Sequence, residues 1–572
     1  MLKMKKWIGF CILIASSLGL SAGETEIIYD YVIVGNGTAG AVLARKLSDS
    51  GKKKVLVLEA GMNHDNDPQI LIAQPIFPLL QAWTDITYNP AYAATYSVVT
   101  GLLQASIYSE GRGWGGSSAH NYMQAVRGTP TIYNNWATLS GNPMWAYNNV
   151  LSLMIALENY TPDGTPFNPA QRGSGGPISL TQRSAVSSDP FAISLATAMN
   201  AGFVDDYNDP TDIGTTGTPY VGFSAFQMFA TPGSAPGSVS ERSFASKSFL
   251  DPVVLPNGKA KGKRLLRIES NAFVSRVLFN GKTAIGVEFV YADSPNKINQ
   301  AFGKQIILCA GAINSPAILQ RSGIGDASLL KSLGIDVLVN NPNVGANLNN
   351  QYGPNAIVLG SAGGDPFLQG FVNASGTPAL AAPFVYPNDS TRRLEVVALN
   401  IGGGVSQVIS FMLNPNSRGS VKIVSTNPLI QPNLDLGMYS DGAIYPDSGV
   451  SVNGTDANLT VAAYKLIANA FGAANVVYPP NMATATNDEL FAAAKQPGGS
   501  TVASHIAGTT QMATSMATGV VDGNLRVFGV KNLMVCDLGV APELPDGNTC
   551  YCVYVLALGA AKILGVATPP AL

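Results

Sequence analysis

Apolar residues along this chain gather into short unbroken runs bounded by glycine and polar turns. Val32, Ile33 and Val34 form one run, Val55–Leu58 a second, and residues 304–311 hold a third that ends in glycine. Runs of this length and β-branched content read as strands buried on both faces of a parallel sheet. A charged, helix-like stretch separates the first two, so the start of the chain reads as strand, turn, helix, strand. Residues 264–290 alternate instead, predicting two strands joined by a turn at Asn280 and Gly281. Residues 352–500 read as short strands and loops around an apolar helix at 460–474, and a long helix is predicted after Asn548. Residues 62–110 show little periodicity.

The first turn carries candidate chemistry. Gly35, Gly37 and Gly40 form G-x-G-x-x-G where the strand meets the helix, and Thr38 and Ala39 open that helix. Gly35 permits the tight turn, Gly37 lets backbone approach a pyrophosphate, and Gly40 lets helix and strand pack closely. The helix N-terminus faces the phosphates. Glu59 ends the second strand nineteen residues beyond Gly40, placed to accept hydrogen bonds from a ribose diol. The pattern predicts a dinucleotide pocket and leaves NAD, NADP and FAD open.

Composition narrows the partners. At 572 residues the chain exceeds one compact core, and 60 glycines with 36 prolines suit a loop-rich α/β enzyme. Net charge is −2 with no basic block, which argues against nucleic acid or an anionic membrane surface. Lys3, Lys5 and Lys6 precede an uncharged run at 7–20 and the small residues Ser21, Ala22 and Gly23. Residues 1–23 therefore read as a cleavable signal peptide, with an uncut anchor as the alternative. The expectation is a secreted or periplasmic protein with no membrane span in the mature chain. Cys309, Cys536, Cys550 and Cys552 remain after cleavage and show neither a disulfide framework nor metal-ligand spacing, so no metal is expected.

Four blocks together resemble the glucose–methanol–choline (GMC) oxidoreductases, which are FAD enzymes. They are the glycine fingerprint with Glu59, GRGWGGSSAHNYMQAVRG at 111–128, GAINSPAILQRSGIG at 311–325 followed by PNVGANLNN at 342–350, and the stretch from SHIAGTTQM to VCDLGVAPELPDGNT. The resemblance implies an α/β fold with a discontinuous Rossmann-like FAD-binding domain, residues 24–150, 225–349 and 500–572. A smaller α+β substrate domain built on an antiparallel sheet would comprise 151–224 and 350–499.

By the same resemblance, Gly35, Gly37, Thr38, Ala39, Gly40, Glu59 and Ala60 would hold the adenosine and pyrophosphate end. Arg112, Gly115, Gly116, Ser117 and Asn121 would line the pyrophosphate and flavin ring. Val274 would meet the adenine through its backbone, Asp537 and Leu538 would lie near the ribityl chain, and Asn548 and Thr549 by the ring. His120 precedes Asn121, where some choline-oxidising members carry a histidine bonded covalently to the flavin. Most members bind FAD noncovalently, and a histidine there also suits a hydrogen bond.

The chain has three histidines. His505, in SHIAGTTQM, matches the family's base, which takes the hydroxyl proton as hydride moves to flavin N5. Asn548 matches the second active-site position, where its amide orients the substrate oxygen but cannot act as base. Cys550 stands where many relatives carry asparagine. His64 reads as a solvated loop residue. The function implied is oxidation of a small-molecule alcohol to an aldehyde or ketone, with oxygen or another electron acceptor reoxidising the enzyme. The alternative is a hydroxynitrile lyase on the same scaffold, against which Asn548 argues. Trp83, Tyr88, Tyr92, Tyr96, Phe367 and Phe371 suit an aromatic entrance or core packing.

Overall fold

The computed structural model describes residues 27–71, 90, 93–100, 107–182, 190–198, 202–212, 214–215, 222–224, 227–235, 238–360, 367–373, 393–442 and 455–566. The signal segment, Trp83, Tyr88, Tyr92 and the side chains of Tyr96, Phe367 and Phe371 lie outside that description.

The unbroken apolar runs become the centre of a seven-stranded sheet. Strand β1 (Ile28–Val34) leads through helix α1 (Thr38–Ser48) into β2 (Val55–Leu58). Much later come β3 (Leu266–Glu269), β4 (Ala272–Asn280), β5 (Thr283–Tyr291) and β6 (Ser294–Leu308). Their order is β3-β2-β1-β6-β5-β4. β1 runs parallel to β2 and β6, so Val34 sits between Leu58 and Leu308. β6 is long enough to serve two neighbours along its other edge. Its first half pairs antiparallel with β5, and Ile306–Leu308 pairs parallel with Leu533–Val535. The sheet is thus assembled from three distant stretches of chain. Its central residues are fully buried, which is why both faces had to be apolar.

A second seven-stranded sheet is antiparallel throughout. It contains β7 (Tyr352–Leu359), β8 (Phe367–Asn373), β9 (Arg393–Gly402) and β10 (Val405–Met412), in the order β7-β10-β9-β8, with short strands at either edge. Side chains alternate between its faces. Leu394, Val396, Ala398 and Val408 pack with helix α2 (Asp456–Phe471), while Val397, Leu399 and Ile409 join the core of the first sheet. Thr455 caps α2 by accepting from the Asn458 amide, and Gly472 ends it at φ +78°. The helix expected at 460–474 therefore starts and stops a few residues earlier.

Residues 62–110 hold more structure than their periodicity suggests: Ala93–Thr100 pairs antiparallel with Ile107–Gly111. These strands belong to a small four-stranded sheet and are of mixed polarity, so no long apolar run announces them. Cys550 and Cys552 lie on the last helix, α3 (Cys550–Ile563), and both are free thiols. No helix among the described residues is long and apolar enough to cross a membrane.

A buried ion network pins the start of α3. Glu158, fully buried, accepts from Arg127 at 2.7 Å and Arg172 at 2.9 Å, and also from Tyr551 of α3. Arg172 continues to Asp206 and Gln227. Each charge here has an opposite charge beside it, which is the condition for tolerating burial. Removing Glu158 strands the buried Arg127 guanidinium, while Arg172 keeps Asp206, so Glu158→Ala is expected to cost about 3–5 kcal/mol. Urea unfolding of the purified variant measures it, and a change under 1 kcal/mol (about one weak surface pair) would contradict the network's role.

Candidate active site

The turn after β1 is shaped by what has no room for a side chain. Gly35 has φ +97°, and a Cβ there would lie 2.4 Å from the Cys309 carbonyl oxygen. At Gly40 a Cβ would come within 2.0 Å of the Gly35 carbonyl, so α1 can start this close only without one. Gly37 faces a second glycine-rich loop. Gly116, at φ +52°, would place a Cβ 2.7 Å from the Gly37 Cα. Two bare backbones thus oppose each other beside the N-terminus of α1, the arrangement that admits a phosphate chain.

Glu59 draws these loops together. Its carboxylate accepts from the Asn36 amide at 2.6 Å, Gly61 at 2.8 Å and Gly113 at 3.1 Å. Burial raises its pKa against those three donors. Asp537 is held similarly, by Ser315 Oγ and the amides of Gly311 and Gly539, and burial pushes it up to about 6.

A single cavity of roughly 470 Å³ runs from this cradle to the antiparallel sheet. Gly35, Gly37, Thr38 and Ala39 line one end with Glu59, Ala60 and Val274. Arg112, Gly116, Ser117, Asp537 and Leu538 line the middle. His120, Asn121, His505, Asn548 and Thr549 line the other end, with Cys550 beside them. Two expected cofactor residues stand behind the wall instead. Gly40 supports the turn as described, and Gly115, at φ +91°, backs onto Phe244, whose ring a Cβ would meet at 2.6 Å. His64 also departs from expectation: it is buried, and a Cβ on Gly113 would touch its ring at 2.6 Å.

At the far end His505 is half-buried and lines the cavity. Its amide donates to Asn350 Oδ1 at 2.7 Å, and its Nδ1 lies 2.6 Å from Gln351 Oε1. Burial pushes its pKa down to about 4, so the imidazole is neutral at ordinary pH. Asn548 Nδ2 donates to Gln124 Oε1 at 2.7 Å. His120 is buried, with neither ring nitrogen hydrogen-bonded among the described residues. Burial, aided by the charge of Arg242, pushes it down to about 4. Arg242 also donates to the backbone oxygen of Asn121 at 2.6 Å and to its side chain at 3.0 Å, fixing the residue beside His120.

Facing these polar groups are Val397, Leu399, Ile409 and Phe411 of the antiparallel sheet, and the exposed Leu429 and Ile430. This wall escaped sequence reading because both faces of the sheet are apolar. Gln124, Asn350 and Gln351 were also missed; the one signal for the last two was their place in and directly after PNVGANLNN.

Sequence profiles of the GMC oxidoreductases match residues 29–353 and 415–557. The chain belongs to the GMC oxidoreductase family. It is an FAD-dependent oxidoreductase acting on CH–OH groups. An oxygen-dependent choline dehydrogenase of Stenotrophomonas maltophilia is 28% identical, covering 96% of both chains. A pyranose dehydrogenase of Agaricus campestris is 29% identical over 93% of this chain and 92% of its own. Among solved structures, pyridoxine 4-oxidase from Mesorbium loti superposes with TM-score 0.74 at 23% identity, covering 95% of this chain and all of that one. A fungal aryl-alcohol oxidase gives 0.72 at 22% identity, covering 94% and 99%.

The cavity of this GMC oxidoreductase fits FAD by its own geometry. The opposed glycines leave the space a Cβ would fill, and His120 and Asn121 line the cavity's far end. Gly116→Ala closes the first feature, so it is expected to purify folded but depleted of FAD. The ratio of flavin to protein absorbance checks this, and full flavin occupancy would contradict the proposed cradle.

Proposed function

We propose that the protein oxidises an uncharged, largely apolar alcohol to the aldehyde or ketone, with His505 as general base. The observation that carries this is the convergence of the His505 imidazole and the Asn548 amide on the cavity that begins at the glycine cradle. Bound FAD supplies the two-electron acceptor. Removing a hydride from a carbinol carbon requires the hydroxyl proton to leave, and the neutral His505 ring is available to take it. Asn548, steadied by Gln124, orients the hydroxyl oxygen without competing for the proton. The apolar wall of the antiparallel sheet, Val397, Leu399, Ile409 and Phe411, packs against an alkyl or aryl group and offers no row of donors to a sugar. That wall favours an alkyl or aryl alcohol over the choline and pyranose in the names of the relatives. Oxygen or another acceptor then reoxidises the enzyme.

Anaerobic mixing with a panel of alcohols, followed by flavin bleaching, tests the reading. Apolar primary alcohols are expected to bleach the flavin faster than sugars or choline; a lyase would leave it yellow. His505→Ala is expected to slow reduction by at least ~100-fold, and an unchanged rate would remove His505 from the role of base. Because its pKa lies near 4, reduction should stay level down to about pH 5 and fall only as protonation removes the acceptor lone pair. A limb near pH 6.5, the unperturbed value, would show that burial does not act on this ring. Export is proposed from the leader at residues 1–23; a secreted chain beginning at Glu24 is the expected product on N-terminal sequencing.

A further inference from the structure

We infer that Gln351 is a positioning residue that holds neutral His505 in the Nδ1–H tautomer and so leaves the Nε2 lone pair as the proton acceptor. The inference rests on the reading of His505 as base and adds which nitrogen does the work and what selects it.

Gln351 is fully buried. Its Nε2 lies 2.9 Å from the Pro545 carbonyl, 3.1 Å from Leu413 and 3.3 Å from Gly547. Two amide hydrogens satisfy these three acceptors. Flipping the amide would set its oxygen against three carbonyl oxygens, so the surroundings decide the orientation. Oε1 must then point at His505 Nδ1, 2.6 Å away. A carbonyl oxygen only accepts, so Nδ1 must carry the hydrogen. In a neutral ring the other nitrogen, Nε2, is then unprotonated.

The same amide links both halves of the site. Gly547 immediately precedes Asn548, so one side chain ties the base to the loop that presents the orienting amide. The neighbouring Asn350 accepts from the His505 backbone. Ser504, at φ +57°, turns the chain sharply just before the ring, and these two contacts hold the result. Tautomer selection through the second nitrogen is a general device for histidine bases, and such outer partners typically contribute ten- to hundred-fold.

The test uses the FAD-loaded enzyme with ¹⁵N-labelled histidine. The chain has three histidines, so the ring signals are few, and His505→Ala assigns the one concerned. At neutral pH the wild type is expected to show His505 with a protonated Nδ1 and a bare Nε2. A protonated Nε2, or an imidazolium, overturns the inference. Gln351→Met removes the acceptor at similar length, and its His505 signals are expected to move to a tautomer mixture. Flavin reduction should fall about ten- to hundred-fold with flavin content retained. An unaltered Nδ1–H signature in Gln351→Met also overturns the inference. The wild-type spectrum stands even if that variant fails to fold. An active His505→Ala would remove the base reading, while the tautomer assignment is decided by the spectrum independently of activity.

Discussion

One buried carboxylate sets the geometry on which the site depends. Glu59 collects the amides of Asn36, Gly61 and Gly113, and so joins the first glycine turn to the second glycine-rich loop. Hydrogen bonds to a charged group are individually stronger than neutral ones, about 1.5–3 kcal/mol each. Its desolvation works against them, and the pKa is raised despite three donors. The same loops also meet directly, where the Gly115 amide donates to the Asn36 carbonyl at 2.9 Å. Once they meet, Gly37 and Gly116 stand face to face and the phosphate channel exists. A carboxylate first read as a ribose anchor is therefore also the clasp of the cradle.

The catalytic end uses a different economy. There an imidazole, the four side-chain amides of Gln124, Asn350, Gln351 and Asn548 and an apolar wall line the site, with the charges of Arg242 and Glu395 set behind them. Burial keeps His505 unprotonated without help from a neighbouring charge, since desolvation is the cause of its depressed pKa. A carboxylate at the Gln351 position would favour the imidazolium and draw the ring away from a resting neutral state. The amide chain around His505 and Asn548 orders the site and adds no charge to it. Further back, the Arg127–Glu158–Arg172 network anchors Tyr551, just three residues beyond Asn548. This network supports the site from behind the cavity lining.

Much of this was legible from residue order. The parallel strands β1, β2 and β6 follow from their apolar runs, and the glycine turn follows from its spacing. His505 and Asn548 followed from their blocks. The misses share a cause. The strands before Gly111 belong to a small sheet and are of mixed polarity, so neither a period of two nor an apolar run marks them. The two faces of β9 and β10 could not be told apart because both are covered. Gly115 was placed against the cofactor on the strength of its motif, whereas its positive φ serves to turn the loop against Phe244. His64 lies in a polar stretch, yet a glycine too small to shield it lets the ring pack inward.

The sequence alone determined the dinucleotide-type turn and the family likeness and singled out His505 as the candidate base, because each rests on residues adjacent in the chain or on motifs with fixed spacing. Only the tertiary structure decided which surface lines the cavity, that Glu59 unites two loops, and that Gln351 reaches His505 across 154 positions. Local patterns encode local geometry, whereas a hydrogen bond between distant side chains exists only after packing has fixed both ends. The direction of an amide, and with it the nitrogen left free on a histidine, is information of that second kind.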